Sequence, residues 1–209
     1  MKLLDCATAP SPRRVRIFLA EKGLDIPLAQ VDLRSGEHLT VAFRAKSPRC
    51  TVPVLELDDG SYLSETLAIC DYLEHLHPAP PLLGRDALER ARVLQWNAWI
   101  EQDGFAAAAE ALRNRASGLA GRALTGSQGY EQIPELAERG SRRTVRFYAD
   151  LDDHLSDRRY VGGDEFTLAD ITALVAVDFG SRVVAAPDPA LQHLQRWHGE
   201  VSTRPSATA

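Results

Sequence analysis

The chain has little of what marks secreted, membrane-bound or nucleic-acid-binding proteins. Its three cysteines, Cys6, Cys50 and Cys70, are an odd and scattered set. That excludes a disulfide framework and a Cys-x-x-Cys metal or redox site, so we expect free, buried thiols and no metal. No window approaches the roughly 18 apolar residues of a membrane span. Lys and Arg number 24 against 29 acids, and no basic run exceeds a pair, so nucleic acid and membrane surfaces are not expected partners.

What is present is typical of a folded enzyme-sized chain. Hydrophobic residues make up 44% and charged residues 25% of 209 residues, enough to bury a core in one or two compact units. The first residues, Met-Lys-Leu-Leu-Asp-Cys, lack the apolar stretch and cleavage site of a signal peptide. We therefore expect a cytoplasmic protein.

Residues 1–77 have the pattern of an α/β domain. Strands are predicted over 2–6, 27–33, 52–57 and 61–63, the last two joined by the turn Asp58-Asp59-Gly60. Helices are predicted over 13–22, ended by Gly23, over 38–46, and over 67–76. The order is βαβ followed by ββα. A proline-rich linker over 78–86 then ends the domain.

Residues 87–209 have an all-helical pattern. Helices are predicted over about 87–116, 130–156, 168–183 and 190–200, with a glycine-rich, mobile connection over 117–129. Thr167 and Asp170 form a capping-box pattern, flanked by Phe166 and Ile171 at the positions of a hydrophobic staple. We interpret that pattern as a folding signal without a chemical role.

Five short motifs, in order, now identify a family. They are Ser-Pro-Arg-Arg-Val-Arg at 11–16, Gly-Glu-His at 36–38, Thr-Val-Pro at 51–53, Glu-Thr-Leu-Ala-Ile at 65–69, and the capping box. With them the chain resembles the cytosolic glutathione S-transferases over essentially its whole length, with theta-like and beta-like features. The resemblance implies a thioredoxin-like N-terminal domain, an all-α C-terminal domain that forms the electrophile site, and a homodimer.

The resemblance also implies a binding site for glutathione as cosubstrate. Val52 and Pro53 would share a cis bond that turns the backbone of Val52 toward the extended peptide, the alternative being an ordinary edge-strand proline. Glu65 and Thr66, at the start of a helix, would hold the γ-glutamyl group. His38 matches the position that reaches the glycyl carboxylate, with Arg34 as a second candidate.

The group that activates the thiol is left open by the sequence. Ser11 occupies the place of the beta-class cysteine, but Ser-Pro is also typical of a plain N-cap followed by proline. The serine of theta-like members falls on Ala9, which cannot donate a hydrogen bond. Thr8, just before it, is the alternative hydroxyl, and backbone N–H groups are the third option.

Two functions compete. The first is a transferase that conjugates the glutathione thiolate to small hydrophobic electrophiles, as in detoxification. Such electrophiles would lie against the first helix of the second domain, whose aromatic residues are mostly core. The second is a non-catalytic binding protein on the same fold, of stress response or translation. A cysteine-based exchanger is disfavoured because Cys6 lies in a strand.

Overall fold

The structure is a computed structural model that describes residues 1–209. The N-terminal part contains β1 (Lys2–Asp5), α1 (Pro10–Lys22), β2 (Leu28–Gln30), a short 3-10 turn (Glu37–Leu39), α2 (Val41–Arg44), β3 (Val54–Glu56), β4 (Tyr62–Ser64) and α3 (Thr66–Leu76). The C-terminal part contains α4 (Ala87–Trp99), a π-helical segment (Ile100–Phe105), α5 (Ala106–Arg113), α6 (Pro134–His154), α7 (Leu168–Val183), α8 (Gln192–Ser202) and short 3-10 turns at Ser117–Leu119 and Pro205–Thr208.

The four strands form one mixed sheet in the order β2-β1-β3-β4. Strand β1 is parallel to β2, with Leu3 opposite Leu28, and antiparallel to β3, with Leu3 opposite Leu55. The parallel pair requires a crossover, which α1 supplies, whereas β3 and β4 are joined by a short turn. This confirms the predicted βαβ and ββα order and the fold class.

Two of the alternatives that the sequence left open are wrong. Strand β3 lies inside the sheet and begins at Val54, so Pro53 is not an edge-strand proline: it precedes the paired residues, where its missing N–H disturbs no ladder. Helix α1 begins at Pro10, with Ala9 as its N-cap. Ser11 is therefore the second helical residue and not a cap, because Pro10 is the proline that occupies the first helical position.

The helical part follows the predicted order with one interruption. The predicted helix over 87–116 is divided into α4 and α5 by the π-helical segment. In that segment, a Cβ on Gly104 would lie 3.0 Å from the ring of Phe147. Helix α6 approaches α5 even more closely at Gly140, where a Cβ would lie 2.6 Å from the carbonyl oxygen of Ala107. No helix is both long and apolar enough to cross a membrane.

Ion pairs connect the two parts around α1. Arg13 Nη1 lies 2.6 Å from Asp178 Oδ2 on α7, and Arg204 Nη2 lies 2.7 Å from Glu21 Oε2. Arg14, buried in α1, pairs with Glu101 of the π-helical segment. Helix α1 is thereby held along its length at the boundary between the sheet domain and the helices.

The capping box at the start of α7 is present. Asp170 Oδ2 accepts hydrogen bonds from the backbone N–H (3.0 Å) and hydroxyl (3.2 Å) of Thr167. Its other oxygen accepts from the backbone N–H of Val161 (2.8 Å) and from Trp197 Nε1 (2.9 Å). The carboxyl is fully buried, so one side chain ties together α7, α8 and the loop before α7.

Candidate functional site

Two helix N-termini meet at the boundary between the domains. Helix α1 starts after Ala9 and helix α3 after Glu65, and no side chain caps either of them. The hydroxyl of Thr66 donates to the backbone carbonyl of Ser11 at 3.4 Å, which holds the two helix starts together. Free backbone N–H groups and the positive ends of two helix dipoles favour negative charge at this point.

Glu65 stands beside this point in an unusual backbone conformation. Its φ angle is 73°, in the left-handed region that residues other than glycine rarely adopt. Its side chain is 62% exposed, and its nearest basic partner is Arg49, whose Nε lies 3.8 Å from Oε1. Such conformations are concentrated at functional sites, and this one leaves an acidic group free to meet a cation.

The residues before β3 have backbone groups that lie outside the sheet ladder. The Val52–Pro53 peptide bond is cis, as the resemblance implies. Val52 is half-buried and lies before the first paired residue of β3, Val54. Its backbone is therefore not committed to the β1–β3 ladder.

Ser11 has a charged neighbour that the sequence analysis missed. Arg14 Nη2 donates to Ser11 Oγ at 3.2 Å. The guanidinium of Arg14 is buried, pairs with Glu101, and lies 4.3 Å above the ring of Phe105. Because Arg14 supplies a donor to the oxygen, the Ser11 hydroxyl proton remains free to be donated elsewhere. The i, i+3 spacing on a helix is the signal that could have found this pair.

Thr8 lies between β1 and α1 in an exposed position. Its hydroxyl oxygen is 3.6 Å from the sulfur of Cys6, a weak interaction in which either group could donate. The structure thus places Thr8 and Ser11 on either side of Ala9, the residue that ends the extended segment before α1.

His38, the residue that the resemblance places at the glycyl carboxylate, is buried and contacts the helical domain. It is 6% exposed, and its Nε2 lies 2.7 Å from Nη2 of Arg122 in the helical domain. Burial, and then the positive charges of Arg122 and Arg113, lower the pKa of His38. Arg34, the second candidate, is exposed and its backbone N–H donates to Asp32 in a turn.

The aromatic residues of the first long helix have two different surroundings. Trp96 stacks on His154 of α6 with ring centroids 3.8 Å apart, and Trp99 lies 5.2 Å from Phe147 of the same helix. These two rings are core, as expected. Phe105, in contrast, lies beside Arg14 of α1 at the domain boundary.

The structure contains no cluster of three or more His, Cys, Asp or Glu side chains that could hold a metal ion. The three cysteines are buried and unpaired, and burial raises the pKa of Cys70 far above its usual value. The chemistry available here is hydrogen-bond donation and charge recognition by side chains and backbone.

Comparisons with known proteins agree with this geometry. Residues 8–76 match the family model described as glutathione S-transferase, N-terminal domain, and residues 116–205 match glutathione S-transferase, C-terminal domain. The chain is 32% identical to glutathione S-transferase 2 of Saccharomyces cerevisiae, covering 99% of this chain and 87% of the yeast protein.

Two solved structures are also similar to the chain. A glutathione S-transferase domain-containing protein of Marinobacter aquaeolei superposes with a TM-score of 0.91 at 35% identity, covering 99% of both chains. A glutathione S-transferase of Methylobacillus flagellatus, solved with glutathione bound, superposes with a TM-score of 0.83 at 26% identity, covering 100% of this chain and 98% of the other.

Proposed function

The chain belongs to the glutathione S-transferase family, and from that premise we propose that it conjugates the thiolate of glutathione to small hydrophobic electrophiles. Glutathione transferase activity in general follows from the family. The observation that carries the proposal is the meeting of two helix N-termini without side-chain caps at Ala9 and Glu65, joined by the Thr66–Ser11 hydrogen bond. Glutathione carries a carboxylate and a thiolate, and two anion-binding helix starts suit that pair of charges.

The peptide is proposed to bind in an extended form. Its γ-glutamyl carboxylate accepts hydrogen bonds at the start of α3, from the Thr66 hydroxyl and backbone N–H groups, while Glu65 pairs with the ammonium. The backbone of its cysteinyl residue pairs with Val52 by strand addition ahead of β3, next to Pro53. His38 lies on the side of the glycyl carboxylate.

The thiol has to be activated, because a free thiol with a pKa near 8.5 is only a few per cent ionised at neutral pH. We propose that the hydroxyl of Ser11 donates to the thiolate, with Arg14 orienting that hydroxyl from the opposite side. The buried guanidinium adds positive charge, which also favours the ionised thiol. A drop of two pKa units requires about 2.7 kcal/mol.

We therefore expect Ser11→Ala to raise the pKa of bound glutathione and to lower turnover at neutral pH, with activity partly recovering as the pH rises. The reason is that hydroxide then removes the proton that the enzyme no longer helps to release. The ultraviolet absorbance of the bound thiolate, followed against pH, measures the shift directly.

Thr8→Ala is the matched control and should leave that titration curve in place. If Thr8→Ala moves the curve and Ser11→Ala does not, the roles are reversed. No movement in either variant leaves backbone N–H groups and the helix dipole as the activators.

The overall function has a simpler test. Retention of the purified chain on immobilised glutathione, followed by turnover of a generic aromatic halide with free glutathione, is the expected result. Retention without turnover would favour the non-catalytic binding protein. In that alternative the Ser11 hydroxyl serves only as the acceptor of the hydrogen bond from Arg14.

A homodimer and a cytoplasmic location belong to the same proposal. Helices α3 and α4 expose the apolar side chains of Leu76 and Leu88, and residues of both helices, among them Tyr72 and Arg90, line a cleft of about 890 Å³. A second copy of the chain is the partner proposed for this face, and sedimentation of the purified protein measures the oligomeric state.

The proposed cytoplasmic location is supported by the three unpaired thiols, which fit a reducing compartment.

A further inference from the structure

Three basic side chains, His38, Arg113 and Arg122, gather at the boundary between the domains without an acidic partner. Neither Arg113 nor Arg122 forms an ion pair with an Asp or Glu. Arginines elsewhere in the chain, such as Arg14, Arg139 and Arg204, do form such pairs. Instead, Arg122 contacts His38 and Arg113 Nη2 donates to the carbonyl oxygen of Leu124 at 2.8 Å. Each arginine also depresses the pKa of a neighbour in the cluster, so positive charge is crowded there.

The hydrogen bonds within this cluster leave donors without acceptors. A guanidinium can only donate, so the 2.7 Å contact requires His38 Nε2 to accept, and the neutral ring then carries its proton on Nδ1. His38 Nδ1 and Arg113 Nε are both buried and have no hydrogen-bond partner. Unsatisfied buried donors beside unpaired positive charge are the arrangement that an anion satisfies.

The connection between α5 and α6, residues 114–133, brings Arg122 to this place. It is anchored to the helical domain by Gln132, whose Nε2 donates to the carbonyl oxygens of Arg113 (2.8 Å) and Ala116 (2.7 Å). A backbone bridge between Arg122 and Tyr130 gives it a defined shape. The segment predicted as a mobile connection thus reaches across to the sheet domain.

The same connection passes both ends of the proposed glutathione site. Arg122 contacts His38 at one end, and at the other a Cβ on Gly126 would lie 3.6 Å from the backbone oxygen of Arg49, the partner of Glu65. The carboxylate of Glu37, next to His38 in the chain, accepts from the backbone N–H of Asp32 at 2.7 Å. Its negative charge raises the pKa of His38 less than burial and the two arginines lower it, so the balance in the cluster stays positive.

We propose that Arg122 binds the glycyl carboxylate of glutathione together with His38, so that the helical domain supplies one half of this carboxylate site. The inference rests on the proposed function and adds to it a residue that none of the sequence motifs contains. The carboxylate accepts from the remaining N–H groups of the Arg122 fork and from His38 Nδ1–H. A planar guanidinium and a carboxylate form a strong, directional pair of this kind. Binding of glutathione then holds the connection between α5 and α6 against the bound peptide.

The test compares Arg122→Ala with the wild-type chain for two ligands, glutathione and its glycinamide analogue, which lacks only the terminal carboxylate charge. Calorimetric titration should show that Arg122→Ala binds glutathione about 10- to 100-fold more weakly, the usual loss for a charge-assisted hydrogen bond. The glycinamide analogue should bind both proteins equally. Arg122→Lys should recover part of the lost glutathione affinity, because lysine keeps the positive charge but lacks the planar pair of N–H donors.

Arg142→Ala is the matched control, since Arg142 is exposed on α6 and has no ion pair, and it should bind both ligands as the wild type does. Equal weakening of both ligands, or no weakening of either, overturns the role of Arg122. Failure of the wild-type chain to bind glutathione at all overturns the proposed function itself, and the two failures are thereby distinguished.

Discussion

Asp170→Ala is expected to lower the free energy of unfolding by about 3 kcal/mol or more. Four donors converge on this buried carboxyl, from the backbone of Val161, the backbone and hydroxyl of Thr167, and the indole of Trp197. Alanine leaves all four without an acceptor in the interior, and each buried unsatisfied donor costs about 1–3 kcal/mol. Chemical denaturation with a fluorescence readout of the tryptophans measures the loss.

A graded set of variants separates this network from the cap alone. Thr167→Ala removes the N-cap hydroxyl and should cost about 1 kcal/mol. Asp164→Ala removes an exposed acid from the same loop and should change the stability by less than about 0.5 kcal/mol. If Asp170→Ala costs no more than Thr167→Ala, the carboxyl does not hold α8 and the loop to α7.

The contribution of Asp170 should also depend on pH. Burial raises the pKa of Asp170 to about 6 in the folded chain, against an unfolded value near 3.8. A group with a raised pKa stabilises the fold fully below its unfolded pKa and loses that contribution as the pH rises through its folded pKa. The difference in stability between wild type and Asp170→Ala should therefore narrow between about pH 4 and pH 6.

Glu65→Ala is expected to weaken glutathione binding by roughly 1.5–3 kcal/mol, which is about 10- to 150-fold in the dissociation constant. The carboxylate lies at the start of α3 and is the acidic group available to the ammonium of the γ-glutamyl residue. Its removal deletes a charge-assisted hydrogen bond to the ligand and touches no buried contact. Calorimetric titration of glutathione into the folded variant gives the number.

Two controls belong with this measurement. Glu138→Ala removes an exposed acid from α6 and should bind glutathione normally. Glu65→Gln keeps the shape of the side chain and removes only its charge. The loss of glutathione affinity in this variant therefore measures the ion pair alone. Unchanged affinity in folded Glu65→Ala would remove this residue from the site and would place the γ-glutamyl group elsewhere.

Features with local causes could be predicted from the sequence. Gly23 ends α1 because it adopts the left-handed conformation that glycine permits, with φ of 64°. The Thr167–Asp170 box starts α7 because its two members are only three residues apart. The relative strand directions could be inferred as well, since a helix joins the two parallel strands whereas a short turn joins the two antiparallel ones.

The start of a helix was less well predicted where two residues could each begin it. Both Pro10 and Pro12 could start α1, and the sequence pattern favoured the later start. The structure selects Pro10, which makes Ser11 a helical residue whose oxygen receives a hydrogen bond from Arg14. Proline tolerates any position in the first helical turn, so propensity alone could not separate the two.

The candidate site residues could be named from the sequence. The distant residues that contact them could not. Ser11 and Thr66 are 55 positions apart, and their hydrogen bond exists only because α1 and α3 pack on the same sheet. His38 and Arg122 are 84 positions apart, and the contact depends on how the helical domain sits against the sheet domain. Periodicity and capping patterns extend over a few residues, so they determine which segments become helices and strands and where anion-binding helix starts occur. Which charges meet across the cleft is decided by tertiary packing, because burial and distance between remote segments set the energy of such pairs.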